Sequence, residues 1–150
     1  MGISEIYREH KHSVYRLALT WLRSVSDAED VTQEVFLRLV EREQSVQPGK
    51  ERAWLLTVTS NLCKDRLRAW KRHREEPLSE QIPGMSTETS SLLEAVLELP
   101  VKERTVVYLY YYEGYSTMEI ADIKGCSRSA VSKWLGQARK RLKSRLEEFE

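Results

Sequence analysis

Residues 128–140 carry Arg128, Ser129, Ser132, Lys133, Gln137 and Lys140. At about 100° per residue, Val131, Leu135, Ala138 and Leu142 fall within about 60° of one another. Ser129, Lys133, Gly136, Gln137 and Lys140 then take the opposite face, with Arg128 and Ser132 near the N-terminal end. Hydroxyls, an amide and cations in this arrangement suit base edges and phosphates, as on a helix that enters a major groove. A second set, Thr57, Asn61, Lys64, Arg68 and Lys71, recurs at spacings of 4, 3, 4 and 3, with Trp70 nearby. That is one continuous stripe suited to a single strand whose bases are held by stacking and edge contacts. A third set has the opposite sign. Asp30, Gln33, Glu34, Leu37 and Glu41 project away from the apolar stripe Ala28, Val31, Val35 and Leu39. A leucine ringed by acids and an amide is suited to docking a protein. Each set also has a plainer reading: solvated helix faces, an Asn61–Asp65 bond inside a bundle, and Trp54 as core.

The charge distribution favours the sharper readings. The 150 residues carry a formal net charge of only +1, yet residues 50–74 hold eight Lys/Arg against Glu51 and Asp65. Residues 124–145 hold eight more and no acid. Two basic blocks in an acidic frame indicate two surfaces for polyanion. A chain this short has room for one ordinary domain or two very small ones, not for a large enzyme. Cys63 and Cys126 lie far apart, and His10, His12 and His73 have no carboxylate or thiol cluster in helix register, so neither a disulfide framework nor a metal site is expected. No glycine-rich phosphate loop is present, and pairs such as Asp30 with Glu34 or His73 near Asp65 lack a nucleophile or pocket signature. The expectation is a protein with no catalytic residues and no cofactor. The polar N-terminus is unlike a signal peptide and no stretch approaches about 20 apolar residues, so a reduced, cytoplasmic protein without membrane insertion is expected.

These side chains need helices to hold them. Ile3, Ile6, Tyr7, Val14, Leu17, Ala18 and Trp21 recur at helical spacing over residues 3–24. Ser26-Asp27-Ala28-Glu29 reads as a capping box opening a second helix that runs to about residue 44. Pro48-Gly49 closes a loop, and a long third helix starts near Glu51 with Trp54, Val58 and Leu62 as its buried face. Residues 75–91 contain Pro77, Pro83, Gly84 and a Ser/Thr-rich end without an apolar face, and are assigned as a flexible linker. A second module begins near Leu92, with Leu93, Val96, Leu97 and Leu99 on a short helix broken by Pro100. Val101 to Glu113 forms the next, rich in tyrosine and ended by Gly114. Ser116-Thr117-Met118-Glu119 is a second capping box, Gly125 makes a tight turn, and Ser127 caps the final helix. Residues 116–143 thus have the spacing of a helix-turn-helix. Gly136, inside that helix, costs about 1 kcal/mol and suggests close approach to DNA backbone. Trp134, at the border of the apolar stripe, is assigned to packing. The fold class is all-α: an N-terminal helical bundle (1–74) and a C-terminal helix-turn-helix domain (92–150), joined by the linker.

Residues 27–39, DAEDVTQEVFLRL, resemble the core-polymerase-binding segment of bacterial sigma factors of the extracytoplasmic-function (ECF) group. Arg52-Ala53-Trp54-Leu55, Asn61-Leu62-Cys63-Lys64-Asp65 and the basic run to Arg74 resemble that group's −10 element segment. Leu99-Pro100, Glu103-Arg104, Tyr115-Ser116, Glu119-Ile120-Ala121 and Ala138-Arg139-Lys140-Arg141-Leu142 resemble its −35 element region. The resemblance implies that Asp30, Gln33 and Glu34 face the clamp helices of core RNA polymerase, and that residues 43–50 help capture an unpaired −10 base. It implies that Asn61 and its stripe hold the open strand, and that residues 127–140 enter the −35 major groove. An anti-sigma factor is an implied partner class, though no residue identifies one. Two positions depart from the family pattern: Ala130 stands where threonine is common, and Trp134 where a basic residue is common. The expected function is a sigma factor that binds core polymerase, recognises the −35 and −10 elements of promoter DNA and promotes transcription initiation. The alternatives are a stand-alone helix-turn-helix regulator, which predicts operator binding without polymerase, and a degenerate sigma acting as a polymerase-binding adaptor.

Overall fold

The computed structural model describes residues 2–73 and 90–147, and every regular element among them is helical. The chain divides into two compact units, Met1–Glu80 and Gln81–Glu150. In the first unit, α1 (Ile3–Leu22), α2 (Val25–Glu41) and α3 (Glu51–His73) pack pairwise as a three-helix bundle. Val14, Leu17, Ala18 and Trp21 of α1 meet Ala28, Val31, Val35 and Leu39 of α2, the stripe that the spacing predicts. Phe36 adds a ring to that stripe and stands edge-on to Tyr7 at 4.9 Å.

The connection between α1 and α2 is two residues long, and it moves the cap. Arg23 ends α1 in the left-handed conformation (φ 54°), its N–H donating to the Leu19 carbonyl. Ser24 follows in extended conformation, and its Oγ accepts from the Asp27 N–H at 3.3 Å. The N-cap is therefore Ser24 rather than Ser26, because the left-handed turn at Arg23 reverses the chain at once and leaves no room for an uncoiled Val25. Helix α2 also ends at Glu41, before a short 3-10 turn over Glu43–Ser45.

Helix α3 corrects a second expectation. Trp54 and Val58 are only half-buried, while Leu55, Leu56, Thr59, Ser60, Leu62 and Cys63 form the inner face. Two small hydroxyl residues at the centre of that face disguise it in a hydrophobicity pattern. Thr59 Oγ1 donates to the Leu55 carbonyl at 2.7 Å, whereas the buried Ser60 Oγ has no hydrogen-bond partner among the described residues.

The second unit holds α4 (Ser90–Glu98), α5 (Val101–Val107), α6 (Thr117–Lys124) and α7 (Arg128–Glu147). Helix α4 starts two residues before the expected Leu92; the remainder of the proposed linker, and the assignments made for it, lie outside the described residues. Helix α5 does not run on to Glu113. It widens into a π-helical turn over Tyr108–Tyr112, where the Glu113 N–H reaches back five residues to the Tyr108 carbonyl at 3.1 Å. The Tyr108 hydroxyl also meets Glu113 Oε1 at 2.5 Å, and the Tyr108 and Tyr112 rings stack at 5.4 Å. Gly114 (φ 77°) then ends the element as expected. The capping box at Ser116 is complete: Ser116 Oγ accepts from Glu119 N–H and Glu119 Oε1 accepts from Ser116 N–H. Ile120, Ala121 and Ile123 point inward against Val131, Leu135 and Ala138 of α7.

Candidate nucleic-acid interfaces

The final helix is set by its own sequence. Gly125 takes φ 66°, a left-handed turn that glycine adopts without penalty, and the Cys126 N–H closes on the Ala121 carbonyl at 3.0 Å. Ser127 Oγ then accepts from the Ala130 N–H at 3.1 Å and starts α7. Val131, Leu135 and Ala138 are buried and Leu142 is half-buried, so the opposite face is turned out. Arg128, Ser129, Ser132, Lys133, Gln137 and Lys140 are all exposed along it. A Cβ added at Gly136 would meet nothing within 4 Å, so packing within the protein does not require this glycine.

The cations of residues 124–145 are not one surface. Lys124 is buried among α5 and α7. Arg139 Nε donates to the Tyr111 hydroxyl at 2.7 Å, and this bond holds its guanidinium above its ordinary pKa. Arg141 Nε lies 3.0 Å from Glu103 Oε1, an ion pair out of hydrogen-bond alignment, and Arg145 pairs with Glu98. Four of the eight charges are thus engaged inside the unit, and the basic face reduces to Arg128, Lys133, Lys140 and Lys143. Charge counting along the sequence could not separate these two groups, because three of the engaged cations interleave with the outward ones along α7.

On α3 the stripe of Thr57, Asn61, Lys64, Arg68 and Lys71 is centred about 145° from the centre of the inner face, farther round the helix than expected. Asn61, Arg68 and Lys71 are exposed, and Thr57 and Lys64 half-buried. Thr57 Oγ1 donates to the Ala53 carbonyl at 2.8 Å, which leaves its lone pairs outward. Arg68 meets Asp65 at 3.6 Å, but both side chains are well exposed, and such pairs exchange readily for another anion. Half-buried Trp54 and Val58 flank this stripe. Arg66, by contrast, reaches back to Asp27 at 3.0 Å and ties α3 to the first turn of α2. The loop before α3 is ordered by its own polar groups: Gly49 (φ 85°) donates its N–H to Glu51 Oε1 at 3.0 Å, and Lys50 N–H to the Gln47 carbonyl. The Glu51 carboxyl is held below its ordinary value by its own backbone N–H first and by the Gly49 N–H second.

The outward face of α2 carries Asp30, Gln33, Leu37 and Glu41 exposed, with half-buried Glu34 paired to Arg38 at 3.3 Å. Leu37 is 62% exposed, and Val40, which the sequence pattern did not single out, is 56% exposed beside it. Val40 lies about 60° from Leu37 and about 135° from the centre of the core stripe on the helical wheel, so it extends the outward apolar patch.

Comparison with known proteins agrees with this layout. A model described as Sigma-70 region 2 matches residues 6–73, and one described as Sigma-70, region 4 matches residues 89–142. The ECF RNA polymerase sigma factor SigM of Bacillus subtilis is 30% identical over 156 residues, covering 96% of this chain and 94% of that one. The chain belongs to the ECF family of RNA polymerase sigma factors. SigE of Mycolicibacterium smegmatis, also an ECF RNA polymerase sigma factor, is 34% identical, covering 95% of this chain. The chain spans 60% of that relative's length and 38% of the length of RfaY of Xanthomonas campestris, a probable RNA polymerase sigma factor. In fold, the chain is similar to the sigma factor RpoE in its complex with the anti-sigma factor NepR from Bartonella quintana (TM-score 0.78, 21% identity, 96% of both chains).

Proposed function

We propose that this protein is a promoter-specificity subunit that docks on core RNA polymerase, reads a −35 duplex with the second unit and holds an opened −10 strand with the first. The observation that carries this reading is that Asn61, Arg68 and Lys71 on α3 and Lys133, Gln137 and Lys140 on α7 are exposed on faces turned away from the buried side of each helix. In a sigma family chain, outward rows of cations and amides of this kind are binding surfaces rather than packing elements. Residues 1–74 form the core-polymerase and −10 module in this proposal, 75–91 the linker and 92–150 the −35 module. On α7, Arg128, Ser129, Ser132, Lys133, Gln137 and Lys140 meet the duplex, whose major groove admits one helix. On α3, Thr57, Asn61, Lys64, Arg68 and Lys71 hold the unpaired strand. Asp30, Gln33, Glu34, Leu37 and Glu41 form the docking face for polymerase.

No bond is made or broken by the protein in this scheme, and no cofactor is needed. Strand opening is a binding equilibrium: extruding and unstacking a base costs a few kcal/mol, and contacts available only to the open strand offset it. Among the described residues no helix is long and apolar enough to cross a membrane and no metal-binding cluster occurs, in keeping with a factor that works beside polymerase in the cytoplasm. An anti-sigma protein of the kind bound by the Bartonella factor is part of the proposal as a regulatory partner. The test is run-off transcription with purified core enzyme on a promoter library, with sequencing of the start sites. Specific starts that depend on the protein support the reading. A footprint on DNA without polymerase, and no transcripts with it, would replace it by a stand-alone regulator.

A further inference from the structure

We propose that Lys124 is a positioning residue for α7, setting the seat of the duplex-facing helix without touching DNA; the claim rests on the reading of α7 as the duplex-binding helix. Lys124 is the last residue of α6, immediately before the Gly125 turn, and is only 2% exposed, a fully buried ammonium-bearing side chain among leucines and isoleucines. Its Nζ donates to Thr105 Oγ1 at 2.5 Å and to the Lys102 carbonyl at 3.3 Å, both on α5. The same Nζ lies 4.9 Å from the ring centroid of Trp134, two turns into α7, and Lys102 Nζ lies 5.4 Å from that ring. One ammonium therefore joins three helices of the second unit: α6 supplies it, α5 accepts from it and α7 gives it an aromatic face.

The chemistry makes this joint directional. An apolar contact tolerates rotation, but a buried ammonium is costly unless its donors keep their partners. Thr105 is fixed in turn, since its Oγ1 donates to the Val101 carbonyl at 2.8 Å and so presents a lone pair to Lys124. Ring attraction for a desolvated cation is strong and depends on the cation staying over the face. Trp134 follows Lys133 directly and precedes Gln137 by one turn. Any roll of α7 that takes the indole off Lys124 moves both of those outward side chains by the same angle. Lys124 and Trp134 thereby belong to the orientation of the reading face and not to the face itself.

The test uses the full chain with core polymerase and a −35 duplex selected from a random library by the wild-type protein. Lys124→Met should bind that duplex about three- to tenfold more weakly, the worth of one hydrogen bond removed from the seat. Its log–log salt slope should equal that of the wild type, whereas a residue that neutralises a phosphate lowers the slope by ~0.9. Trp134→Phe keeps a ring for the cation and should bind as wild type, while Trp134→Leu should fall with Lys124→Met. Thr105→Val, which replaces the hydroxyl by a methyl and leaves Lys124 in place, should fall in the same direction and covers the case in which Lys124→Met does not fold. Unchanged affinity in Lys124→Met and Trp134→Leu overturns the inference, as does a slope lowered by ~0.9. If the wild type selects no duplex, the reading of α7 fails by itself, and hydrogen exchange judges the joint separately. Faster exchange of amides 128–137 in Lys124→Met, with α1–α3 unaltered, supports it; equal exchange overturns it.

Discussion

Leu37 and Val40 sit three residues apart on the outside of α2, flanked by Asp30, Gln33 and Glu41. Both are more than half exposed, so changing them should perturb folding little and report on docking. Among the described residues Glu34 pairs with Arg38 on its own helix, a solvent-accessible i,i+4 contact worth a few tenths of a kcal/mol. Glu34→Lys should therefore weaken binding to core polymerase at least about tenfold, a loss of about 1.4 kcal/mol, with an unchanged melting temperature and unchanged duplex affinity. Titration of labelled core enzyme checks this, and equal binding removes α2 from the interface. Residue identity made this face legible from sequence because acids and a leucine opposite an apolar stripe are unambiguous on a helical wheel. Lys124 was not legible in the same way. A lysine reads as a surface charge until the chain partners that bury it, Thr105 and Trp134, are brought from other helices.

Among elements, the short α6 depends most on its cap. Eight residues make a marginal helix, and the reciprocal Ser116–Glu119 bonds satisfy two of its initial N–H groups. Ser116→Ala should destabilise the second unit by about 1 kcal/mol, measured by denaturant unfolding. The Glu119 carboxyl is held below its ordinary 4.5 by the Ser116 backbone N–H first and the Ser116 hydroxyl second. A lowered folded value means the stabilisation is full above pH 4.5 and is lost as pH falls through the lower, folded value. Thermal melts between pH 6 and pH 3 should consequently fall less for Glu119→Gln, which keeps an acceptor at all pH values, than for the wild type. The predicted box at Ser116 was readable because its turn is local. The cap at Ser24 was not, since it depends on Arg23 entering the left-handed region, a rare conformation for arginine with no sequence signal. The inner face of α3 was misplaced for a related reason: Thr59 and Ser60 are buried by neighbours on α1 and α2, and periodicity counts only apolar residues. The widening of α5 at Tyr108–Tyr112 goes with a local side-chain bond five residues long, Tyr108 to Glu113, which a count of apolar spacing does not register.

At the scale of the whole chain, the proposed function assigns the two units separate contributions to one complex. Lys133 projects from the second and Lys71 from the first, and each is exposed on a face turned from its own core. In the proposed holoenzyme on an opened promoter, Lys133→Ala should lower the salt slope by ~0.9 and Lys71→Ala by ~0.7, the duplex and single-strand values. Because the sites share no partner, the double variant should lose the sum of the single losses within about 0.5 kcal/mol. Filter binding over a salt series measures both quantities. A double variant no weaker than either single one would mean that the two cations serve the same contact.

The two thiols have unequal fates in this architecture. Burial in the bundle pushes Cys63 far above the ordinary thiol range, so it stays protonated and shielded, whereas Cys126 is half-exposed in the turn that opens α7. A maleimide dye added to the natural protein should consequently attach at Cys126 alone, placing one fluorophore at the hinge of the helix-turn-helix without any engineering.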